Sequence, residues 1–441
     1  MSVIYGIDLG TTNSLIGLYS EDYLSDMVPS CVDMETGEAG KTMFDSIRAK
    51  RSFKTDMSMG IEGTAPRVAS HYVLKECVRQ VPKNFPPVED VVISVPAYFS
   101  DAQRTATITS AEMAGLNVKA LVNEPTAAAM YIAKDKKGLF VVYDLGGGTF
   151  DVSIIDSRFG TFDVQATSGC DIGGDDFDAA IMKFFVKKGK IPVVRMDKNA
   201  WAALQHFAAK QKIKLQKAMD TITVDLSHFG GQAIEFTVQE YKDVMKLAFS
   251  ETLNCLQSLI RQWIPTSEVF EILLVGGSTH CPYLREWIEQ VVGMKTAPLT
   301  YNPDKVVAQG AALYADIYSK GGIGTHVSDV TKGLSISLYD GTCSVVVPHN
   351  SKIPLSMEKV FTNPVDAAKL ELNLYQGEHV LAKDNDYIGQ IVWEYDSPRP
   401  ARTGQVIVTL TIDASGVITF TAGELLHKPK VIVLKREKEN N

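Results

Sequence analysis

The apolar positions change their rhythm along the chain. Short β-branched runs at Val3–Leu9, Val91–Val95, Leu139–Tyr143, Val152–Ile155 and Ile272–Val275 predict strands of a buried sheet. Between them the spacing lengthens. Leu253, Leu256, Ile260 and Trp263 recur every three or four residues, which places them on one face of a helix. The Ala-rich stretches Ser100–Gly115 and Pro125–Ala133 predict two more helices, the second with proline in its first turn, where the missing N–H costs nothing. Strands alternating with helices up to about residue 320 predict an α/β fold.

After Gly321-Gly322 the pattern is different. SKGGIGTHVSDVT is small and polar and predicts a linker over 321–333. Beyond it come only strand signals: Leu334–Leu338, Cys343–Val347, Leu370–Tyr375, Gln390–Tyr395, Val406–Ile412, Val417–Ala422 and Val431–Leu434. Turn residues separate them, at Asp340-Gly341, Pro348–Asn350, Gln376-Gly377 and Asp413–Gly416. This spacing predicts an all-β sandwich over 334–436, with the first domain occupying 1–320. KREKENN reads as a solvated charged tail.

Composition narrows the function classes. The 441 residues are 45% hydrophobic and 22% charged, as in an ordinary folded protein. A net charge of −8 argues against a broad nucleic-acid surface, which needs a basic stripe to displace counterions. No apolar run reaches the roughly 18 residues of a membrane helix, so no membrane partner is expected. MSVIYGIDLG lacks a basic stretch before its apolar run and reads as a strand, not a signal peptide. The six cysteines are scattered, without metal or redox spacing, which suits a reducing cytoplasm.

An internal echo carries the chemistry. IYGIDLGTTNSLIGLY opens the chain, and VVYDLGGGTFDVSII returns at 141–155. Each is an apolar strand, an Asp-x-Gly turn rich in glycine or hydroxyls, and a second apolar strand. Glycine lets main-chain N–H groups come close to a phosphate. The strand-end aspartate repels phosphate but can hold a hydrated magnesium ion that bridges phosphate oxygens. Two such hairpins would clamp a nucleotide from both sides. LLVGGSTH at 273–280 adds a third glycine turn, and no GxxxxGK[ST] is present, so this is not a P-loop enzyme.

These motifs resemble the heat-shock protein 70 family, the DnaK-like chaperones of the actin and sugar-kinase ATPase superfamily. IDLGTTNS, VVISVPAYFSDAQR, AGLNV, NEPTAAA, YDLGGGTFDVS, IGGDDFD, LLVGGST and NPDKVVAQGAA stand where that family has them, and DVTKGLSISL, LYQGEHVLAKDND and TIDASGVITFTAGE continue the match. The resemblance spans essentially the whole chain. It implies an actin-like, ribonuclease H-like two-lobed ATPase domain followed by a β-sandwich that binds peptide.

The resemblance also assigns roles. Asp8, Asp144 and Asp151 surround Mg²⁺ through waters, and Glu124 orders that shell. Gly10, Thr11, Thr12, Asn13, Gly146, Gly147, Gly148 and Thr149 hold the phosphates of ATP or ADP, with Gly173 and Gly174 beside them. Asp144 or Thr149 orients the attacking water in a reaction that is mostly positioning and charge stabilisation. A lysine should reach the γ-phosphate. SFKTDMS offers Lys54 and AKRSF offers Lys50, in a region shortened relative to the family.

On the nucleoside side Gly276, Gly277, Ser278 and Asp304 match. His280 stands where the family has a stacking arginine. On the helix expected over Gln205–Met219, Lys212 is kept, while Ala209 and Gln216 replace a ribose-binding glutamate and a serine. Pro96 and Arg104 match a proline switch and its arginine partner. Ala120, expected on a helix, replaces an arginine that helps bind J-domain cochaperones. Leu338, Phe361, Leu370, Leu372 and Val406 match the lining of the peptide cleft, although alternating strand residues are more often core. The linker lacks the family's leucine run, and no helical lid is expected beyond the sandwich.

Three functions are compatible with these residues. The first is an ATP-driven chaperone for extended apolar segments of unfolded polypeptide, with J-domain and nucleotide-exchange partners. The second is a nucleotide-regulated adaptor with an altered cleft. The third is a small-molecule kinase on the same ATPase fold.

Overall fold

The computed structural model describes residues 3–44, 46, 48–54, 66–97, 99, 101–160, 162–296, 299–321, 333–348, 351, 353–413, 418–424 and 430–432. Most of the expected linker, parts of two expected turns and the charged tail lie outside these residues. So does the end of the strand expected over Val431–Leu434.

Two larger sheets carry the first domain, beside a two-stranded one that pairs Ile222–Val224 with Ile234–Phe236. In the first of the larger two, strands run in the order Tyr23–Leu24, Asn13–Leu18, Ile4–Leu9, Asp90–Val95, Asn117–Asn123, and Val28–Pro29 joins at Asn13–Leu18. Ile4–Leu9 and Asn13–Leu18 form an antiparallel hairpin, while Asp90–Val95 pairs parallel with Ile4–Leu9 and with Asn117–Asn123. The second sheet has the order Phe270–Val275, Leu139–Leu145, Phe150–Asp156, Asp163–Cys170. Its central hairpin closes with Leu145 opposite Phe150, as the first closes with Leu9 opposite Ser14. The echo in the sequence is thus an echo in the fold. These strands read as unbroken apolar runs because both faces are covered; Leu139–Leu145 is buried at every position.

Helices Glu124–Ile132 and Val306–Ser319 meet between the sheets. Their shared core takes Ile4, Val92 and Val122 from the first sheet and Val142, Leu273 and Val275 from the second. The backbones touch: a Cβ on Gly310 would lie 1.9 Å from the Ala127 carbonyl oxygen, and one on Gly6 would lie 2.1 Å from the Ala312 nitrogen. Only glycine fits at either place.

Helix boundaries fall within a residue or two of expectation at Asp101–Met113 and Glu124–Ile132. The helix expected over Gln205–Met219 is longer, Lys198–Ala218, because Asp197 caps it by accepting from the Ala200 N–H at 2.8 Å. In Ser250–Trp263 the buried stripe is Leu253, Leu256 and Leu259. Trp263, expected on that face, is 42% exposed.

The second domain has two four-stranded sheets. One has the order Cys343–Val347, Leu334–Ser337, Ala367–Gln376, Asp386–Arg399; the other, Leu355–Thr362, Gln405–Ile412, Ile418–Glu424, Lys430–Ile432. Ile336, Leu374 and Ile391 from one and Val408, Leu410 and Phe420 from the other share one core. No periodic signal marks Leu355–Thr362, since LSMEKVFT is an edge strand with most positions exposed.

Candidate functional site

The glycine turns converge. A Cβ on Gly147 would lie 1.8 Å from Thr12 Oγ1, so the tips of the two echo hairpins face each other. The Gly146 N–H donates to the Thr149 carbonyl at 3.1 Å and closes the second tip. A Cβ on Gly173 would come within 2.5 Å of the Gly147 carbonyl and the Gly148 nitrogen. The Gly174 and Asp175 N–H groups donate to the carbonyls of Gly146 and Gly147 at 3.0 and 2.7 Å. Ser278 Oγ donates to the Gly146 carbonyl at 2.9 Å, and a Cβ on Gly277 would lie 2.5 Å from Asp304 Oδ1. Gly10 belongs to the same cradle: its N–H donates to Ser14 Oγ at 3.2 Å, and a Cβ there would lie 2.1 Å from the Asn13 carbonyl oxygen. Thr11 lies beside it in the same tip. At Gly10 and Gly173 the close neighbours are main chain, so only glycine fits there and main-chain groups of the turns come close together.

Beneath the tips lie four carboxylates and one lysine. Asp8 is the penultimate residue of Ile4–Leu9, and Asp144 and Asp151 face each other across the second hairpin. Glu124 opens helix Glu124–Ile132 and accepts from Lys54 Nζ at 2.5 Å. Lys54 is buried and sits 5.8 Å from the centre of the Phe99 ring. Lys50 instead makes main-chain bonds with Val32.

The charges do not balance. Burial pushes Asp8 up to about 6, and Glu124 adds to the rise, against Lys54 and a 2.7 Å hydrogen bond from Ser94 Oγ. Burial and neighbouring carboxylates hold Asp144 and Asp151 well above the usual range. Burial pulls Lys54 down, but Glu124, Asp8 and Asp144 together hold it above its ordinary value. Asp151 Oδ1 is buried with no hydrogen-bond partner. Among the described residues no three acidic, histidine or cysteine side chains could hold a metal ion as a group. The site fits a cation that these carboxylates would hold through water, since an excess of buried negative charge calls for one.

On the far side of the cradle, Lys212 Nζ pairs with Asp178 Oδ1 at 2.7 Å and His280 Nε2 with Asp304 Oδ2 at 2.7 Å. Gln216 Nε2 donates to the buried Tyr241 hydroxyl at 2.7 Å.

Pro96 follows strand Asp90–Val95, and its carbonyl accepts from the Phe99 N–H at 3.2 Å. Arg104 is buried; it donates to the Phe99 carbonyl at 3.3 Å and to Asn123 Oδ1 at 2.8 Å. Ala120 is buried within strand Asn117–Asn123, not on a helix. In the sandwich, Phe361, Leu370, Leu372 and Val406 are core residues, whereas Leu338 is 42% exposed at the following turn.

Sequence reasoning passed over Ser94, Phe99, Asn123 and Asp178, each of which touches a residue it had singled out. Gly169 is another. A Cβ there would lie 3.1 Å from Asp151 Oδ1.

Comparison with known proteins gives a consistent picture. The family model described as Hsp70 protein matches residues 47–440. Chaperone protein DnaK of Thermosipho africanus (strain TCF52B) is 34% identical over 475 aligned residues, covering 96% of this chain and 78% of the relative. The proteins of the same name from Mycoplasmoides gallisepticum and Thermosipho melanesiensis are 32% and 33% identical over 467 residues, again covering 96% of this chain and 78% of each relative.

Proposed function

The chain belongs to the Hsp70 family, and on that footing we propose that it is an ATP-dependent molecular chaperone. Its first domain hydrolyses Mg–ATP, and its second holds extended apolar segments of unfolded polypeptide. The observation that carries the ATPase reading is the buried Lys54–Glu124 pair set among Asp8, Asp144 and Asp151, beneath two facing glycine hairpins.

Each residue has a physical task. Main-chain groups of Gly10–Asn13 and Gly146–Thr149, with Gly173 and Gly174 alongside, cradle the phosphates. Lys54, kept charged by its carboxylate neighbours, offers a cation to the terminal phosphate. Asp8, Asp144, Asp151 and Glu124 are the residues that would hold magnesium, which would supply positive charge to the phosphates. Asp144, held above the ordinary carboxylate range by burial, or Thr149 at the hairpin tip, orients the attacking water.

Pro96 and Arg104 carry nucleotide state outward along the contacts through Phe99 and Asn123. J-domain and nucleotide-exchange proteins are partners of the same scheme. No helix of the described residues is long and apolar enough to cross a membrane.

A second reading rests on the sandwich. Phe361, Leu370, Leu372 and Val406 are packed in its core, which favours a nucleotide-regulated adaptor with an altered cleft. Steady-state ATP hydrolysis with and without unfolded peptide separates the two. A chaperone shows slow Mg²⁺-dependent turnover that peptide accelerates. An adaptor shows turnover that peptide leaves unchanged. No turnover at all removes both readings. Asp144→Asn should lose at least about a hundredfold in turnover while still binding nucleotide.

A further inference from the structure

Two walls extend from the phosphate cradle toward the place where a nucleoside must sit. One is the turn Gly277–His280, tied to the hairpin by the Ser278–Gly146 hydrogen bond and backed by Asp304. The other is one face of helix Lys198–Ala218, on which Gln205, Ala209, Lys212 and Gln216 follow one another at helical spacing. Gln205 Nε2 donates to the Asp175 carbonyl at 3.1 Å, which fixes that helix to the start of Gly174–Lys188.

The side chains that could read a base or a ribose are already engaged within the protein. Lys212 is mostly buried and paired with Asp178, and Gln216 is spent on the Tyr241 hydroxyl. Tyr241 in turn donates to Cys281 Sγ at 3.4 Å, joining the two walls. His280 is held by Asp304. Ala209 has no hydrogen-bonding group to offer. In the turn itself, the Thr279 and Cys281 N–H groups donate to the carbonyls of Gly276 and Ser278.

Strong discrimination between bases needs buried polar groups that the wrong base leaves unpaired; shape and apolar contact alone separate similar ligands weakly. A ring such as His280 stacks on any base, because every base has a π-face. The half-exposed imidazole, oriented by Asp304, is a stacking platform without a code.

We propose that this site grips the phosphates and stacks the base without reading it, so that purine and pyrimidine nucleoside triphosphates bind with similar affinity. This rests on the nucleotide-binding reading of the cradle and extends it to the nucleoside. Calorimetric titration of the full chain with Mg–ATP, Mg–GTP and Mg–UTP tests it without requiring turnover. Dissociation constants within about tenfold of one another are expected. GTP and UTP weaker than ATP by more than about a hundredfold would overturn the proposal and leave the ATP site standing. If none of the three binds, the nucleotide reading falls and the proposal with it. His280→Ala should weaken all three by a similar factor, as loss of a stacking surface does. A loss confined to ATP would mean that His280 reads adenine, against the proposal.

Discussion

The Arg104 guanidinium donates to the side-chain oxygen of Asn123, and Asn123 is the residue immediately before Glu124, the partner of Lys54. A path of direct contacts therefore runs from helix Asp101–Met113 to the lysine beside the carboxylates. Asn123→Ala removes the acceptor and leaves the buried guanidinium short of a bond, at a cost of about 1–3 kcal/mol. Nucleotide affinity should stay within about twofold, because no nucleotide contact is lost, while peptide acceleration of hydrolysis falls by the usual size of a coupling, about fivefold or more. Hydrolysis rates with and without peptide, beside calorimetric nucleotide affinity, check both parts.

The Lys54–Glu124 pair is buried, so removing one member strands the other. Lys54→Met should destabilise the first domain by about 3–5 kcal/mol, and adding Glu124→Gln should recover much of that loss. Hydrolysis should stay low in the double variant, because the cation is gone. Urea unfolding and single-turnover hydrolysis on the same three proteins measure this. Recovery of hydrolysis in the double variant would remove Lys54 from the chemistry.

Asp8 makes stability depend on pH in an uncommon direction. Its folded value is raised to about 6 from an ordinary 3.8. Between those values the folded protein holds a proton that the unfolded chain has released, so stability falls as pH rises through the window and stays lower above it. Asp8→Asn should therefore stabilise the nucleotide-free protein at pH 7.5 by up to about 3 kcal/mol and flatten its profile between about pH 4 and 6. Thermal unfolding at a series of pH values reads the difference between the two proteins. A variant less stable at pH 7.5 would show that the charged carboxylate is well compensated.

Gly173→Ala would put a methyl group against the main chain of Gly147 and Gly148, where no side chain can give way. The two turns must part. Nucleotide affinity should fall at least about tenfold, with a stability cost of about 1–3 kcal/mol. Calorimetry and urea unfolding give the two values, and unchanged affinity would place the phosphates away from these turns.

The doubly covered strands and their aspartates were legible in the sequence, because burial on both faces writes an unbroken apolar run and the echo repeats it. The contacts of the site were less so. Ser94 reaches Asp8 only because Asp90–Val95 lies parallel to Ile4–Leu9 with Asp8 opposite Ser94, and pairing between distant strands leaves no local mark. The contacts of Asn123 with Arg104 and of Phe99 with Lys54 join residues distant in sequence in the same way. Leu355–Thr362 was silent because an edge strand can carry polar residues on most positions. The first turns of Lys198–Ala218 leave no periodic mark, because the first buried residue of that helix is Leu204; the local signal for its start is the cap at Asp197.

The crossing of Glu124–Ile132 and Val306–Ser319 is a contact of main chain on main chain, at Gly310 and Ala127. Close-packed backbone is nearly incompressible, so the two sheets cannot slide past each other there without lifting apart. What remains is turning about that point, as scissor blades turn on a rivet. Glu124 is the first residue of one blade. Any turn about that point would also swing Glu124 and the lysine paired with it, so the two cannot move independently of the crossing.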